Sequence, residues 1–355
     1  MKVLVCAPDI FIGDAVGNHC LGIARACERL GLAVELYAER FDAASARVRP
    51  LAELFAECEP QDVLLVSYSI FDPYLDKLAK LDCRKLCYFH GVTDSELLEA
   101  FEPRTAQLCR DAMQQLHQLS TFDLLIANSR FSARALAQHA DACAIKVLPP
   151  VFADMPAFRH ERRQDIATDR IRQLLVVGRV VPHKRVEDAI ALLPKLSELG
   201  ADALLSVVGS MPNYDYAKYL LNFARSQGVL THVDFKGMLD DADLVDCFAR
   251  ADVLLVPSRH EGFCVPVLEA MHHGKPALVR AGTAAEELCA PSDILPSDSS
   301  ADIWAAATHR LLSRDANDTS KAASMYHARA QAILSTTSDE EWLKLLTHEG
   351  ESIAT

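Results

Sequence analysis

Short apolar runs alternate with longer amphipathic segments along this chain, and that alternation restricts its fold more than any other feature of the sequence. The run KVLVCAP at 2–8 is typical of a strand buried on both faces, whereas NHCLGIARACERLG at 18–31 carries apolar residues at helical spacing and ends on Gly31, which favours a helix stop. The same pairing of a strand-like run with a helix-like segment recurs along the chain. The pattern predicts an α/β fold in which helices cover parallel sheets.

Two such alternating series divide the chain. The first ends with IKVLPP at 145–150, the second begins with QLLVVGRV at 173–180, and the polar, proline-bearing segment 152–170 between them lacks a clean period. A chain of 355 residues has a length typical of two domains. We therefore expect two Rossmann-like domains, residues 1–155 and 156–337, that face one another across a cleft and bind ligands beyond the carboxyl ends of their strands.

Charge and cysteine usage exclude some functions. The 49 acidic and 36 basic side chains give a net charge of −13, which argues against a nucleic-acid partner because such a protein needs a basic face. The 11 cysteines are scattered, without a C-x-x-C pair or zinc-like spacing, and indicate buried free thiols in a reducing compartment. No signal peptide precedes the first strand and no apolar run reaches the ~20 residues of a membrane span. We expect a cytoplasmic protein that is free to contact the inner membrane surface peripherally.

A basic segment follows the first strand of the second series. Arg179 comes directly after Gly178, and Lys184 follows five residues later, near the start of the next helix. Two cations beside a helix amino terminus favour an anion such as a diphosphate, because backbone N–H groups add to the side-chain charges. A solvated basic face is the alternative interpretation.

The loop after the first strand holds Gly13 and Gly17 but does not match the G-x-G-x-x-G fingerprint of dinucleotide-binding sites. Such a site also needs an acidic residue near the end of the second strand to bind the ribose, and Glu39 is only a loose candidate for it. A nicotinamide cofactor is therefore disfavoured, and an ordinary turn explains the glycines equally well.

His90 lies just beyond the strand CYF, where a histidine acts as an acid, a base, a hydrogen-bond donor or a structural residue. The Asp-x-Asp pattern in DDAD at 240–243 opens a helix, so N-capping is favoured there over metal binding.

The segment SRHEGFCVPVLEAMHHGKP at 258–276 carries two acids eight residues apart. Gly262 and Pro266 prevent one continuous helix, since proline suits the first turn of a helix. We predict that Glu261 projects from a loop at a strand's carboxyl end and that Glu269 lies on the first turn of the following helix. Capping of that helix by both acids is the plainer alternative.

Together these segments resemble glycosyltransferase family 4, whose members have the GT-B fold. The resemblance is carried by VVGRVVPHKRVEDAI, by IANSRFSARAL and KVLPPV, and by the long segment VDFKGMLDDADLVDCFARADVLLVPSRHEGFCVPVLEAMHHGKPALV with its Glu-x7-Glu element, over about residues 125–290. It implies a retaining transfer of a hexose from a nucleotide sugar to a hydroxyl group, without a metal or other cofactor. It also implies that the C-terminal helix, residues 338–355, joins the first domain and that the cleft opens and closes about residues 150–160.

The resemblance also implies roles for individual residues. Arg179 and Lys184 would bind the donor diphosphate and stabilise the leaving group, while Glu261 would hold the sugar hydroxyls. His90 would meet the sugar or the acceptor and completes the catalytic set. The remaining donor-binding positions are Gly17 in the first loop, Met238 beside the nucleobase, Phe263, Cys264 and Val265 through their backbone N–H groups, and Glu269 on the ribose hydroxyls.

The chain departs from the family pattern at several positions. Cys264 stands where the family usually has glycine, and the first loop reads AVGNH rather than a pair of glycines. The segment AGTAAEEL only loosely follows the family turn that would bring Glu286 into the site. These departures affect the expected identity of the donor more than the expected class of reaction.

GDP-mannose is the first expectation for the donor and UDP sugars come next, with a lipid-linked or surface glycan as acceptor in polysaccharide biosynthesis. The alternatives are a catalytically silent GT-B-like binding subunit or a sugar-nucleotide epimerase.

Overall fold

The computed structural model describes residues 1–42, 47–140, 145–151 and 171–347. The predicted interdomain connection, 152–170, and the end of the predicted C-terminal helix, 348–355, lie outside the described residues. The chain divides into two compact units. The first comprises Met1–Asp94, Gln107–Met155 and Ile333–Thr355, and the second comprises Ser95–Ala106 and Pro156–Ala332.

Each unit is built on one sheet. The strands are β1 Val3–Ile10, β2 Val34–Phe41, β3 Val48–Pro50, β4 Val63–Tyr68, β5 Arg84–Phe89, β6 Leu124–Ala127, β7 Ile145–Val147, β8 Arg172–Val177, β9 Ala203–Val208, β10 Val233–Gly237, β11 Val253–Val256, β12 Ala277–Arg280 and β13 Ile294–Leu295. The first sheet has the order β3-β2-β1-β4-β5-β6-β7 and the second the order β10-β9-β8-β11-β12-β13. Every described strand pair is parallel, so the predicted α/β fold with two parallel sheets is confirmed.

Helices occupy the crossovers that parallel pairing requires. They are α1 Ala15–Arg29, α2 Leu51–Glu57, α3 Leu75–Leu78, α4 Pro103–Gln115, α5 Arg130–Ala137, α6 Val186–Glu198, α7 Tyr214–Ser226, α8 Asp241–Arg250, α9 Val265–His272, α10 Ala301–Leu312, α11 Ala316–Ser335 and α12 Asp339–Thr347. In the described part of the chain, no helix is both long and apolar enough to cross a membrane.

Local sequence sets the ends of several helices. Asp14 caps α1 by accepting a hydrogen bond from the backbone N–H of Val16 at 3.1 Å, and Gly31 follows the helix with a φ of +72°, as predicted for a helix stop. Asp240 caps α8 through the N–H of Asp243 at 2.9 Å, which confirms the capping interpretation of DDAD.

The last described helix packs into the core of the first unit. Trp342 of α12 is 1% exposed, and its ring lies 5.8 Å from those of His19 and Tyr88. Arg29 of α1 forms an ion pair with Asp339 at 2.6 Å, which fastens the start of α12 to the same face of the unit. The first unit therefore contains both the N-terminal strands and the described C-terminal helix.

Glycines mark the carboxyl ends of three neighbouring strands in the second unit. Gly178, Gly209 and Gly237 end or follow β8, β9 and β10, and all three have positive φ values. A Cβ atom on Gly209 would lie 2.0 Å from the carbonyl oxygen of Gly178. The missing side chains therefore let the backbone pack closely at this edge of the sheet.

This packing predicts a large loss of stability for Gly209→Ala. The added methyl group meets Gly178 and also occupies a disfavoured φ, so we expect the second unit to lose about 2–4 kcal/mol of unfolding free energy. Gly200→Ala is the matched control, because Gly200 also has a positive φ, of +82°, but no atom lies within 4 Å of its added Cβ. That variant should lose only about 1 kcal/mol. Urea unfolding followed by Trp304 fluorescence in a Trp342→Phe background measures both, and equal losses would contradict the close-approach argument.

Candidate functional site

A small pocket lies between the carboxyl ends of β8 and β11 in the second unit. Apolar residues of the two strands form its walls, and its charged lining residues are Arg179, Lys184 and Glu261. Arg179 and Lys184 follow β8, whereas Glu261 follows β11, so the parallel pairing of the two strands brings these groups to one edge. The structure thus places three of the four predicted catalytic residues together.

Lys184 and Glu261 form an ion pair in this pocket. The Lys184 Nζ atom lies 2.8 Å from Oε1 and 2.9 Å from Oε2 of Glu261, so the ammonium group donates to both carboxylate oxygens. The side chains are only 20% and 8% exposed, respectively. Their mutual attraction is less screened than that of a surface pair.

Backbone strain coincides with this pair. In the described residues, Arg185 and Cys264 are the non-glycine residues with positive φ, at 54° and 79°. Arg185 directly follows Lys184, and Cys264 lies three residues after Glu261. Left-handed backbone in a non-glycine residue is disfavoured and clusters at functional sites, so these two positions mark the pocket independently of any sequence motif.

Cys264 forms the boundary between the Glu261 loop and α9. It is the N-cap residue of the helix, it is 6% exposed, and its carbonyl oxygen accepts a hydrogen bond from the N–H of Val267 at 3.1 Å. Phe263 before it is also buried, and Val265 after it is the first helical residue. Pro266 stands in the first turn, as predicted.

The prediction for Glu269 was wrong in one respect. The helix begins at Val265, so Glu269 is its fifth residue and lies on the second turn, beyond the amino-terminal N–H groups. Burial, assisted by the negative charge of Asp241, raises the pKa of Glu269 to about 7. A carboxyl group with this pKa changes its charge near neutral pH.

A buried arginine that the sequence interpretation missed supports the pocket from behind. Arg280, at the end of β12, is 2% exposed and donates from Nε to the carbonyl oxygen of Pro257 at 2.7 Å and from Nη2 to Asp188 at 2.5 Å. Pro257 precedes the Glu261 loop, and Asp188 lies in the first turn of α6, just after Lys184. Arg280 therefore holds the segments that carry the ion pair. The signal for it was a single charged residue at the end of the apolar strand in PALVRAG.

Two other predicted positions in the second unit lie outside the charged pocket. Met238 follows β10 and is 60% exposed. The carboxylate of Glu286 accepts a hydrogen bond from the N–H of Gly282 and closes the turn after β12. This contact gives Glu286 a local structural role.

Gly17 and His90 belong to the first unit. Gly17 lies within α1 rather than in the preceding loop, and a Cβ atom there would lie 2.0 Å from the carbonyl oxygen of Phe11. The close contact between α1 and the loop at Phe11 by itself requires glycine at position 17. The prediction that Gly17 is a loop residue was wrong, because the helix starts at Ala15.

His90 follows β5, and its surroundings keep it neutral at pH 7. Its Nε2 atom lies 3.4 Å from the Ser67 hydroxyl, and its ring makes edge contacts with those of Tyr88 and His19 at 4.8 and 5.1 Å. Burial lowers the pKa of His90 to about 4, against the opposing charge of Asp14. A neutral imidazole can donate or accept a hydrogen bond at neutral pH but is not a cation.

Metal ligands are not grouped in the parts of the chain that the structure describes. No three His, Cys, Asp or Glu side chains there lie close enough to hold a metal ion.

The left-handed backbone at Cys264 predicts an unusual order of stability. Cys264→Gly should be at least as stable as Cys264→Ala, because glycine removes a backbone penalty of about 1–2 kcal/mol. At Cys20, which is buried within the ordinary helix α1, the glycine variant should instead be about 1 kcal/mol less stable than the alanine variant. Urea unfolding of the four variants provides the comparison. An identical glycine-minus-alanine difference at both positions would contradict the argument.

The pKa of Glu269 predicts a pH-dependent stability. Its folded value of about 7 lies above the ordinary 4.5, so the stability it contributes is fully present below pH 4.5 and is lost as the pH rises through 7. Relative to the parent chain, Glu269→Gln should therefore become more stable by about 2 kcal/mol between pH 5 and pH 8. Urea midpoints at the two pH values test this. Glu198→Gln, at an exposed ion pair on α6, should show no such trend.

Comparison with known proteins identifies a family model and several similar chains. Residues 158–329 match the family model described as Glycosyl transferases group 1. Glycogen synthase of Mycobacterium tuberculosis is 34% identical over 133 residues, which cover 34% of this chain and 31% of that protein. D-inositol 3-phosphate glycosyltransferase of Nocardiopsis dassonvillei is 30% identical over 241 residues, 63% of this chain and 55% of that protein.

A mannosyltransferase and a solved structure are also similar. The GDP-mannose-dependent alpha-(1-6)-phosphatidylinositol dimannoside mannosyltransferase of M. tuberculosis is 26% identical over 239 residues, 63% of this chain and 60% of that protein. The matches thus span less than two thirds of these relatives. The crystal structure of HepE from Anabaena in complex with UDP and glucose covers 98% of this chain and 100% of its own, at a TM-score of 0.76 and 16% identity, which shows the shared GT-B fold. The segment that matches the group 1 glycosyl transferase model contains β8, β11 and α9, which confirms the resemblance to family 4 seen in the sequence.

Proposed function

We propose that this protein is a retaining, nucleotide-sugar-dependent hexosyltransferase that acts on a hydroxyl group of a glycan or lipid-linked acceptor. The observation that carries the proposal is the pocket at the ends of β8 and β11, which combines Arg179 and Lys184 with the carboxylate of Glu261. Two cations suit a diphosphate, and a neighbouring carboxylate suits a sugar, whose hydroxyl groups are hydrogen-bond donors.

The chemistry assigned to the cations is stabilisation of the leaving group. When the bond between the sugar and the diphosphate breaks, negative charge develops on the phosphate oxygen. Preorganised cations at that place lower the barrier more than they lower the energy of the bound donor, since the charge is greatest in the transition state. Arg179 and Lys184 fill this role, and the positive φ of Gly178 and Arg185 fixes the turns that carry them.

The carboxylate of Glu261 accepts hydrogen bonds from the donor sugar and orients its reactive carbon. The loop that carries Glu261 continues into the amino end of α9, where the backbone N–H groups of Phe263, Cys264 and Val265 face the sugar or the phosphate in this proposal. Because Cys264 is buried where its family usually has glycine, its side chain makes the sugar pocket smaller.

The remaining assignments concern the nucleoside and the acceptor. Glu269 accepts the ribose hydroxyls and does so best as the carboxylate, above its pKa of about 7. The exposed Met238 borders the nucleobase. In the first unit, Gly17 lies by the donor, and the neutral His90 contributes a hydrogen bond to the sugar or the acceptor.

GDP-mannose is the donor we propose first, and UDP sugars come second. The name of one relative specifies GDP-mannose, whereas the HepE structure holds UDP and glucose. Two relatives are named for inositol-containing acceptors, which supports a polyol or lipid-linked acceptor. We place the protein in the cytoplasm, at the membrane surface when the acceptor is lipid-linked.

Nucleotide titration tests the proposal. The protein should bind UDP or GDP, and Arg179→Ala should weaken that binding by about 10- to 100-fold, because it removes a charge-assisted hydrogen bond to phosphate. Arg225→Ala, at an exposed position on α7, is the matched control and should bind as the parent does. Absence of binding to both nucleotides at millimolar concentration would refute the proposal.

Donor turnover separates an enzyme from a silent binding subunit. A panel of UDP and GDP sugars, assayed for donor hydrolysis, should reveal one preferred donor whose turnover is lost in Glu261→Ala. A released sugar that keeps the anomeric configuration of the donor, observed by NMR, supports the retaining assignment. An unchanged rate in Glu261→Ala would remove Glu261 from the reaction.

A further inference from the structure

In the pocket, the carboxylate of Glu261 already occupies the anion-binding position at the ammonium group of Lys184. The ammonium group lies within 2.9 Å of both carboxylate oxygens, so two of its three donors are directed at Glu261. Any anion that binds Lys184 has to compete with this carboxylate for the same ammonium group.

Because Glu261 is buried, some ligands lose binding free energy when they displace it from Lys184. Its side chain is 8% exposed, so water cannot fully solvate the carboxylate after Lys184 is drawn away. A buried charge that loses its partner is strongly destabilised unless another donor replaces it. A ligand that takes only the ammonium group therefore leaves an uncompensated carboxylate behind.

Two ligand classes differ in this respect. A free nucleoside diphosphate attracts Lys184 but has no hydroxyl group at its phosphate end to offer Glu261. A nucleotide sugar attracts Lys184 with its diphosphate and offers the sugar hydroxyls to Glu261, so both members of the broken pair gain new partners.

We propose that Glu261 is a specificity-determining residue which, through its ion pair with Lys184, selects the sugar-bearing donor over the free nucleoside diphosphate. This inference rests on the proposed transferase function and deepens it. After sugar transfer the hydroxyl donors are gone, and Glu261 recaptures Lys184, which promotes release of the nucleoside diphosphate.

The test compares ligands in the Glu261→Gln variant by isothermal titration calorimetry. Glutamine keeps the size of the side chain but removes the charge that competes for Lys184. We expect UDP or GDP, whichever the parent protein binds, to bind at least about tenfold more tightly, a gain of about 1.4 kcal/mol. The corresponding nucleotide sugar should change by less than about threefold, so that the preference for the sugar-bearing ligand shrinks.

Matched variants separate this effect from general electrostatics. Glu198→Gln removes the nearer of two acidic partners of Lys195 in an exposed ion pair and changes the net charge equally, so its nucleotide affinities should equal those of the parent. In Glu261→Gln combined with Lys184→Met the gain should disappear, because the ammonium group that was released is absent. Circular dichroism spectra and urea midpoints establish that each variant is folded.

The outcomes distinguish this inference from the proposed function. Equal or weaker nucleoside diphosphate binding by Glu261→Gln would overturn the inference while leaving the transferase proposal in place. If the parent binds neither UDP nor GDP, the proposed function fails. Titration with inorganic pyrophosphate then still tests whether Glu261 competes with an anion for Lys184. Tighter pyrophosphate binding by Glu261→Gln supports the competition, and an unchanged affinity overturns it.

Discussion

Parallel pairing of β8 with β11 is the constraint on which the candidate site depends. Leu174 pairs with Val253 and Leu175 with Leu254, so the two strands point the same way and end at the same edge. Lys184 and Glu261 are 77 residues apart in the chain, yet their side chains meet at that edge. An antiparallel pair would have placed the two following loops at opposite ends of the sheet.

Buried polar contacts then hold the loops in place. Arg280 joins the end of β11 to the start of α6. The hydroxyl group of Tyr216 in α7 donates a hydrogen bond to Glu187 in α6 at 2.5 Å. Removing one partner from such a buried network leaves the others unsatisfied. This rigidity keeps Arg185 and Cys264 in backbone conformations that their side chains disfavour.

Strong local signals made much of the fold predictable. The apolar runs that became β1, β5, β8 and β11 were visible because a strand buried on both faces is apolar throughout. The strands β3 and β13 were missed, since they contain only three and two residues and their pairing comes from neighbours distant in sequence. Glu269 was assigned to the wrong helical turn for a similar reason, because helix boundaries are set by capping geometry that spacing does not fix.

The sequence by itself determined the α/β class, the two parallel sheets and the residue types of the candidate site, because apolar periodicity and strand-end loops are local properties. Only the tertiary structure decided that Lys184 and Glu261 are partners, that Arg280 supports them, and that Gly17 is required by the packing of Phe11. These are contacts between separate segments, and their geometry depends on strand register and on burial, which no local pattern specifies. Cys264 shows both contributions: the sequence identified the residue, and the fold gave it a left-handed backbone beside the buried ion pair.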